Sequence, residues 1–373
     1  MTAVRALPWL VVLLAACVGD EPGPTEVPDQ VWDDDPVDEG PTYRWEEIGL
    51  SAEAASTLGR WGFMTADRGD GTAIVFGGTR IDGFADGDSF GDTWFIDARA
   101  EAPVFSRLQT TGNPDPRYCG CMSYDPARDL VILVGGRDVG MLMPETWLLD
   151  LATNTWTLVD PMSTTTPPGV VACAMSYSAD RDATYLFGGM GGEDGTDAYD
   201  RTWRFDADAR TWTELETVGP SARFSSILTQ IGTSGPLLMF GGAPTTFGVE
   251  YLADIWRFDA LTETWSPLVV DGPAPRGRRE AWLAVEPAGG GFIIGMGVAG
   301  VQTTDALSDL WRFDFATRRW TDITPSESPV GRGYSLYLPG GPGRIGLLLG
   351  GFDNLEPVAD LHRLVPPDGD THW

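Results

Sequence analysis

The feature that most constrains this chain is a unit repeated along nearly its whole length. An apolar run ending in two glycines recurs as "AIVFGG" to Gly78, "VILVGG" to Gly136, "TYLFGG" to Gly189, "LLMFGG" to Gly242 and "GLLLGG" to Gly351. A degenerate copy, "FIIGMG", surrounds Gly295, and the period is 53 to 58 residues. After each run come a loop and a Trp-centred segment at Trp94, Trp147, Trp203, Trp256 and Trp311, with Leu361 in the sixth place. A second aromatic follows at Phe105, Trp156, Trp212, Trp265 and Trp320. With Trp45 included, ten of the fifteen tryptophans fall on these two marks, which makes their spacing a matter of architecture.

Each unit offers four short strand candidates separated by turn residues: an Arg-led segment, the run before the glycines, a "WRFD" segment and a "TWTEL"-like segment. Their aromatic and β-branched content favours sheet over helix, and no amphipathic helix stands out. One four-stranded unit cannot bury both of its faces, so the copies must stack, and repeated units of this length close into a propeller. The sixth unit supplies "GYSLYLP", "RIGLLLGG" and "LHRLV" but no outer strand. "TYRWEEI", residues 42–48, matches the later "TRRWTDI" and "ARTWTEL" and is expected to fill that place, tying the chain ends together and removing two sheet edges. Residues 371–373 are the rival candidate.

The glycine pair closing the second strand, followed at a distance by an aromatic and then Trp, resembles the kelch repeat across residues 42 to about 365. The resemblance implies an all-β fold, a six-bladed kelch-type β-propeller closed by an N-terminal outer strand. The tryptophans are then structural, filling the space between blades.

The N-terminal "MTAVRALPWLVVLLAAC" carries one positive residue and a short apolar run, which suits a signal peptide over residues 1–16. "LAAC", ending at Cys17, resembles the lipobox of bacterial lipoproteins, and the resemblance implies lipidation of Cys17. Residues 17–41 read as an acidic, proline-rich tether that cannot bury enough apolar surface to fold. The propeller then occupies 42–365 and a tail 366–373. The expected location is the cell envelope of a bacterium, anchored by lipid, at the outer membrane and facing either the periplasm or the exterior.

The formal net charge is −29, and all 25 basic residues are arginine. Nucleic acid and anionic lipid surfaces are therefore disfavoured as partners. The missing lysine excludes Schiff-base, pyridoxal and phosphate-loop chemistry. His362 and His372 are the only histidines, which leaves neither a copper-oxidase nor a metal-hydrolase ligand set, and no metal or cofactor is expected.

Candidate binding residues come from the first strands. Arg60, Arg117, Arg223 and Arg332 open their units, as does Arg276 or Arg278 in the fifth, whereas the third has Val170. Such arginines serve structure by pairing with backbone or acidic neighbours, or they form a ring of guanidinium groups at a channel mouth suited to carboxylates. Glu280 is the lone acid expected within an inner strand. Alternation of strand direction places the loops after the glycine pairs and the blade-to-blade loops on one side. Those loops are long and unlike one another, as expected of a recognition surface. The acidic loops "DGFADGDSFGD" and "GGEDGTDAYD" lack calcium-loop spacing, and "RGD" at 68–70 reads as a turn. Cys119, Cys121 and Cys173 are expected to be small packing residues, since aligned positions suggest opposite strand faces for Cys173 and the other two, while a bridge from Cys119 or Cys121 to Cys173 stays open in an oxidising compartment.

The resulting expectation is a monomeric, lipid-anchored binding module for a protein or glycan, with no catalytic residue. The alternative is a sugar-modifying enzyme resembling periplasmic sialic-acid mutarotases, with Glu280 as its acid.

Overall fold

The apolar runs before the glycine pairs become the strands Thr72–Phe76, Leu130–Val134, Ala183–Phe187, Leu237–Phe240, Gly291–Gly295 and Gly346–Leu349, almost entirely buried. Alternation is absent because each sheet is covered on both faces by its neighbours. These assignments come from a computed structural model that describes residues 42–373 apart from 51–54, 56–58, 81–88, 161–164, 193–196, 245–249, 301–304, 340–344 and 354–356. Residues 1–41, with the expected signal peptide, Cys17 and the expected tether, lie outside the described residues.

Six four-stranded antiparallel sheets form, one per repeat, so the chain is a six-bladed β-propeller. From the inside outwards, blade 1 is Met64–Asp67, Thr72–Phe76, Thr93–Asp97 and Val104–Leu108. Blade 2 starts at Cys121–Asp125, blade 3 at Ala174–Ser178, blade 4 at Ile227–Gln230 and blade 5 at Trp282–Val285. Blade 6 comprises Leu336–Pro339, Gly346–Leu349 and Leu361–Val365, and its outer strand is Arg44–Glu47, in register Arg44↔Val365 to Glu47↔His362. The N-terminal segment thus closes the ring, as its sequence match requires, while residues 371–373 form no strand.

The tryptophans of the outer strands join blades. Trp156 Nε1 donates to Thr93 Oγ1 of the preceding blade at 3.1 Å, Trp212 to Thr146 at 2.9 Å and Trp265 to Thr202 at 3.0 Å. In the closing strand Trp45 meets Trp282 of blade 5 edge-on, with ring centroids 6.3 Å apart. The glycine pairs join blades too. Gly78, Gly136, Gly189, Gly242 and Gly297 each donate a backbone N–H to the residue opening the next blade, at 2.7 to 3.0 Å. A Cβ on Gly77, the partner residue of Gly78, would stand 2.3 Å from the Arg117 carbonyl, so no side chain fits there. In the degenerate fifth copy the strand's last residue is Gly295, where a Cβ would meet Leu310 at 2.4 Å and the Trp282 ring at 2.7 Å.

One open alternative is decided and one expectation is corrected. Cys121 and Cys173 are joined by a disulfide, with Cα atoms 5.8 Å apart, leaving Cys119 as the free cysteine among the described residues. Alternating faces do not keep them apart, because stacked blades present the right face of one sheet to the left face of the next. The sixth Trp place belongs to His362, the second residue of its strand as Trp94 and Trp311 are of theirs. Leu361 precedes it.

Candidate functional site

The arginines lie inside the protein and do not form an open ring. Arg60, Arg117, Arg223, Arg278 and Arg332 have side chains at most 5% exposed, and each pairs with the acid two residues before the third-strand aromatic of its own blade. Arg223 reaches both carboxylate oxygens of Asp254 at 2.6 and 2.9 Å, and its Nη1 also donates to the Gly241 carbonyl at 3.0 Å. Arg278 does the same with Asp309 at 2.7 and 2.8 Å and with the Met296 carbonyl. Arg332 is bound to Asp360 and Gly350. Indole N–H groups of Trp94, Trp256 and Trp311 complete the acids, and His362 does so for Asp360.

Burial opposes ionisation of Asp92, Asp254 and Asp309, but the arginine and tryptophan hydrogen bonds together with the guanidinium charge outweigh it and hold all three carboxyls below the usual range. Against the same burial, His362 and Arg332 hold Asp360 at about 2. A guanidinium so committed has little left for a ligand. Blade 3, which opens with Val170, carries Arg201 where the others carry the acid, so the pair is lost as a unit. Arg276 differs: its side chain is 63% exposed, and Asp305 stands 4.0 Å away.

Two residues beyond each opening position the chain turns through a left-handed conformation, at Gly62, Cys119, Ala172, Ser225, Glu280 and Tyr334. Their backbones link blade to blade around the axis: Cys119 N–H donates to Gly62 O at 2.8 Å, Ala172 to Cys119 at 2.7 Å, Ser225 to Ala172 at 2.7 Å and Glu280 to Ser225 at 3.2 Å. Glu280 therefore belongs to this ring and precedes the inner strand in which it was expected. Its carboxylate accepts from Ser225 Oγ, and Arg279 Nη1 lies 3.7 Å away. Desolvation raises its pKa, with Arg279 and Ser225 opposing. An acid tied in this way makes a poor stand-alone catalyst. On the glycine side the ring is covered by Trp61, Tyr118, Val171 and Phe224, among which Trp61 and Tyr118 have ring centroids 5.4 Å apart.

The opening along the axis lies at the opposite end. A cavity of about 650 Å³ is lined by the six inner strands and by the turns between first and second strands, such as Arg68 and Gly69 in blade 1. The "RGD" stretch is part of that rim, with Arg68 bound to Asp129 at 3.2 Å. Sequence alone did not place this opening.

The glycine side carries a different surface. The blade 2 loop folds as a hairpin, Arg137–Asp138 with Met141–Leu142, turning through Val139 at φ 46° and Gly140 at φ 78°. Two successive positive φ angles suit the twist of a two-residue hairpin, but a β-branched residue adopts the first only under strain. Val139 is 49% exposed and Met141 68%. Val218 and Val330, in blade-to-blade loops on this side, are also exposed. Among the described residues no group of three or more His, Cys, Asp or Glu side chains could hold a metal ion.

The KLHDC2/KLHL20/DRC7 Kelch-repeats domain matches residues 160–337. Adagio-like protein 3 of Oryza sativa subsp. japonica is 25% identical over 244 residues, covering 62% of this chain and 36% of its own length. Kelch domain-containing protein 3 of Homo sapiens is 28% identical over 209 residues, covering 53% of this chain and 52% of its own. The chain thus spans from about a third to about half of the length of these relatives.

Proposed function

Because the chain is a kelch-repeat β-propeller, a fold that typically carries protein interactions, we propose that it is an extracytoplasmic, lipid-anchored module that grips a protein partner with its glycine-side face. The observation carrying this reading is the hairpin tip at Val139–Met141. Exposed apolar side chains gain by being covered, and backbone strain retained at an exposed tip is a mark of function. A protein surface supplies the apolar cover that a glycan lacks. The acidic body favours a partner with basic or neutral contact chemistry, and the exposed Arg276 adds a carboxylate-binding group at the same face. Placement outside the cytoplasm is supported by "LAAC" at residues 14–17 and by the Cys121–Cys173 disulfide, which needs an oxidising compartment to persist.

The test is recovery of partner from envelope extract by the lipidated protein. Met141→Asp should lose the partner, whereas Leu261→Asp, exposed on the opposite side, should keep it. Cys17→Ser should release the protein from membranes. Equal recovery by the two aspartate variants refutes the face, and membrane partition of Cys17→Ser refutes the anchor.

A further inference from the structure

The axial cavity at the other end has no role in that reading, and its walls are chemically specific. The six inner strands are each an edge of their sheet, so unpaired backbone N–H and C=O groups face the axis and the cavity is polar whatever its side chains. Thr65, Ser123, Ser176, Thr229 and Ser335 add hydroxyl-bearing residues from five blades to the lining. The Ser335 hydroxyl is buried without a partner.

Two aromatic rings stand at equivalent places in consecutive blades, Tyr124 and Tyr177. Each is held by its hydroxyl, which donates to Asp129 and Asp182 respectively at 2.8 Å. Deeper in, Tyr337 stacks on Trp282 with centroids 4.4 Å apart and planes 8° from parallel. The far end is floored by the ring of left-handed residues, reached through a narrower chamber of about 140 Å³ lined by Ser225, Glu280 and Tyr334. Together these make a cup whose volume lies within the roughly 300–1,000 Å³ of small-molecule sites.

Charge selects among ligands. Arg68 is taken by Asp129, and Arg128 is taken by Asp125, Asp182 and Asp208 at 2.7 to 2.9 Å. Asp67 lies in the cavity wall, where desolvation raises its carboxyl to about 6. Among the described lining residues Arg68 is the one guanidinium and Asp129 already holds it, so an anionic ligand in the cup would meet Asp67 with no free cation in the wall. Aromatic faces for the C–H side of a ring, with hydroxyls and backbone groups for its O–H side, fit a neutral sugar.

We propose that the axial cavity binds a neutral saccharide, the end of a glycan, entering past the first-to-second-strand turns of blades 1 to 4. This site is independent of the glycine-side face, and either reading can fail without the other.

The test uses the full-length protein in detergent with maltose and N-acetylglucosamine as neutral probes and glucuronate as the anionic one, read by saturation-transfer NMR and calorimetry. At least one neutral probe should bind and glucuronate should bind tenfold more weakly or not at all. Tyr177→Ala should weaken the neutral probe tenfold or more, Tyr177→Phe should retain it, and Met141→Asp on the other face should leave it unchanged. Binding of neither neutral probe, tighter binding of glucuronate, or unaltered affinity in a folded Tyr177→Ala variant overturns the proposal.

Discussion

Replacing Arg223 by valine should destabilise the propeller, and replacing Asp254 by arginine in the same molecule should recover most of the loss. The Arg223 side chain is 1% exposed, and with it go two bonds to Asp254, one to the Gly241 carbonyl and two to Ser221. Removing one partner of a buried pair typically costs about 3–5 kcal/mol, because the other charge is stranded. Here the stranded carboxylate is 40% exposed and partly hydrated, which places the cost near the lower end, about 3 kcal/mol. The double variant copies what blade 3 already has, Val170 and Arg201, and removes the stranded acid. It should regain about 2 kcal/mol, a coupling of the size seen between contacting residues. Thermal melting of the oxidised protein reads this as a drop of roughly 6 °C for the single variant, at about 2 °C per kcal/mol for a chain of this size, and a much smaller drop for the double. A single-variant loss under 1 kcal/mol, or a double variant no more stable than the single, would refute the reading of these arginines as structural clasps.

Denatured but unreduced mature protein should show one free thiol, Cys119, if Cys17 is lipidated and Cys121–Cys173 bonded; three would contradict the disulfide. Reduction should cost about 2–4 kcal/mol of stability. Asp360 is depressed from 3.8 to about 2, so its pair stabilises fully above pH 4 and the contribution disappears as pH falls through about 2. Asp360→Asn should therefore lose less stability than wild type between pH 4 and pH 2, and parallel profiles would contradict this. Deleting residues 18–41 should leave the melt unchanged, whereas deleting 18–48 exposes two sheet edges and empties the Trp45 site, at about 3–5 kcal/mol for the lost Trp. Equal melts would remove the N-terminal strand from the ring.

Ring closure was legible in the sequence because the residues that build the outer strand, Trp45 among them, repeat a pattern spelled elsewhere in the same chain. The pairing of the arginines was also legible in part: Asp92, Glu145, Asp254, Asp309 and Asp360 stand where an opening arginine exists, and Arg201 stands where Val170 replaces it. That correlation points to a clasp, although arginine and acid lie about thirty residues apart in the chain. Strand parity left the disulfide open because it describes one sheet, whereas Cys121 and Cys173 meet across two. The axial ring and cup depend on a left-handed turn repeated at six chemically unrelated residues, from Gly62 to Tyr334, a conformation that side-chain identity does not announce. Leu361 was one residue from the truth because histidine does not look like tryptophan, although His362 offers its carboxylate partner the same ring N–H.

The proposed recognition face is most directly tested by a photoreactive benzoylphenylalanine placed at Met141 in the full-length protein and irradiated in the intact cells that make it, with Leu261 as the opposing position. A discrete adduct should form from position 141, disappear when Val139→Asp is added, and be absent from position 261. An adduct from 261 alone, or from neither position, would contradict the claim that this propeller grips a protein by its glycine-side face.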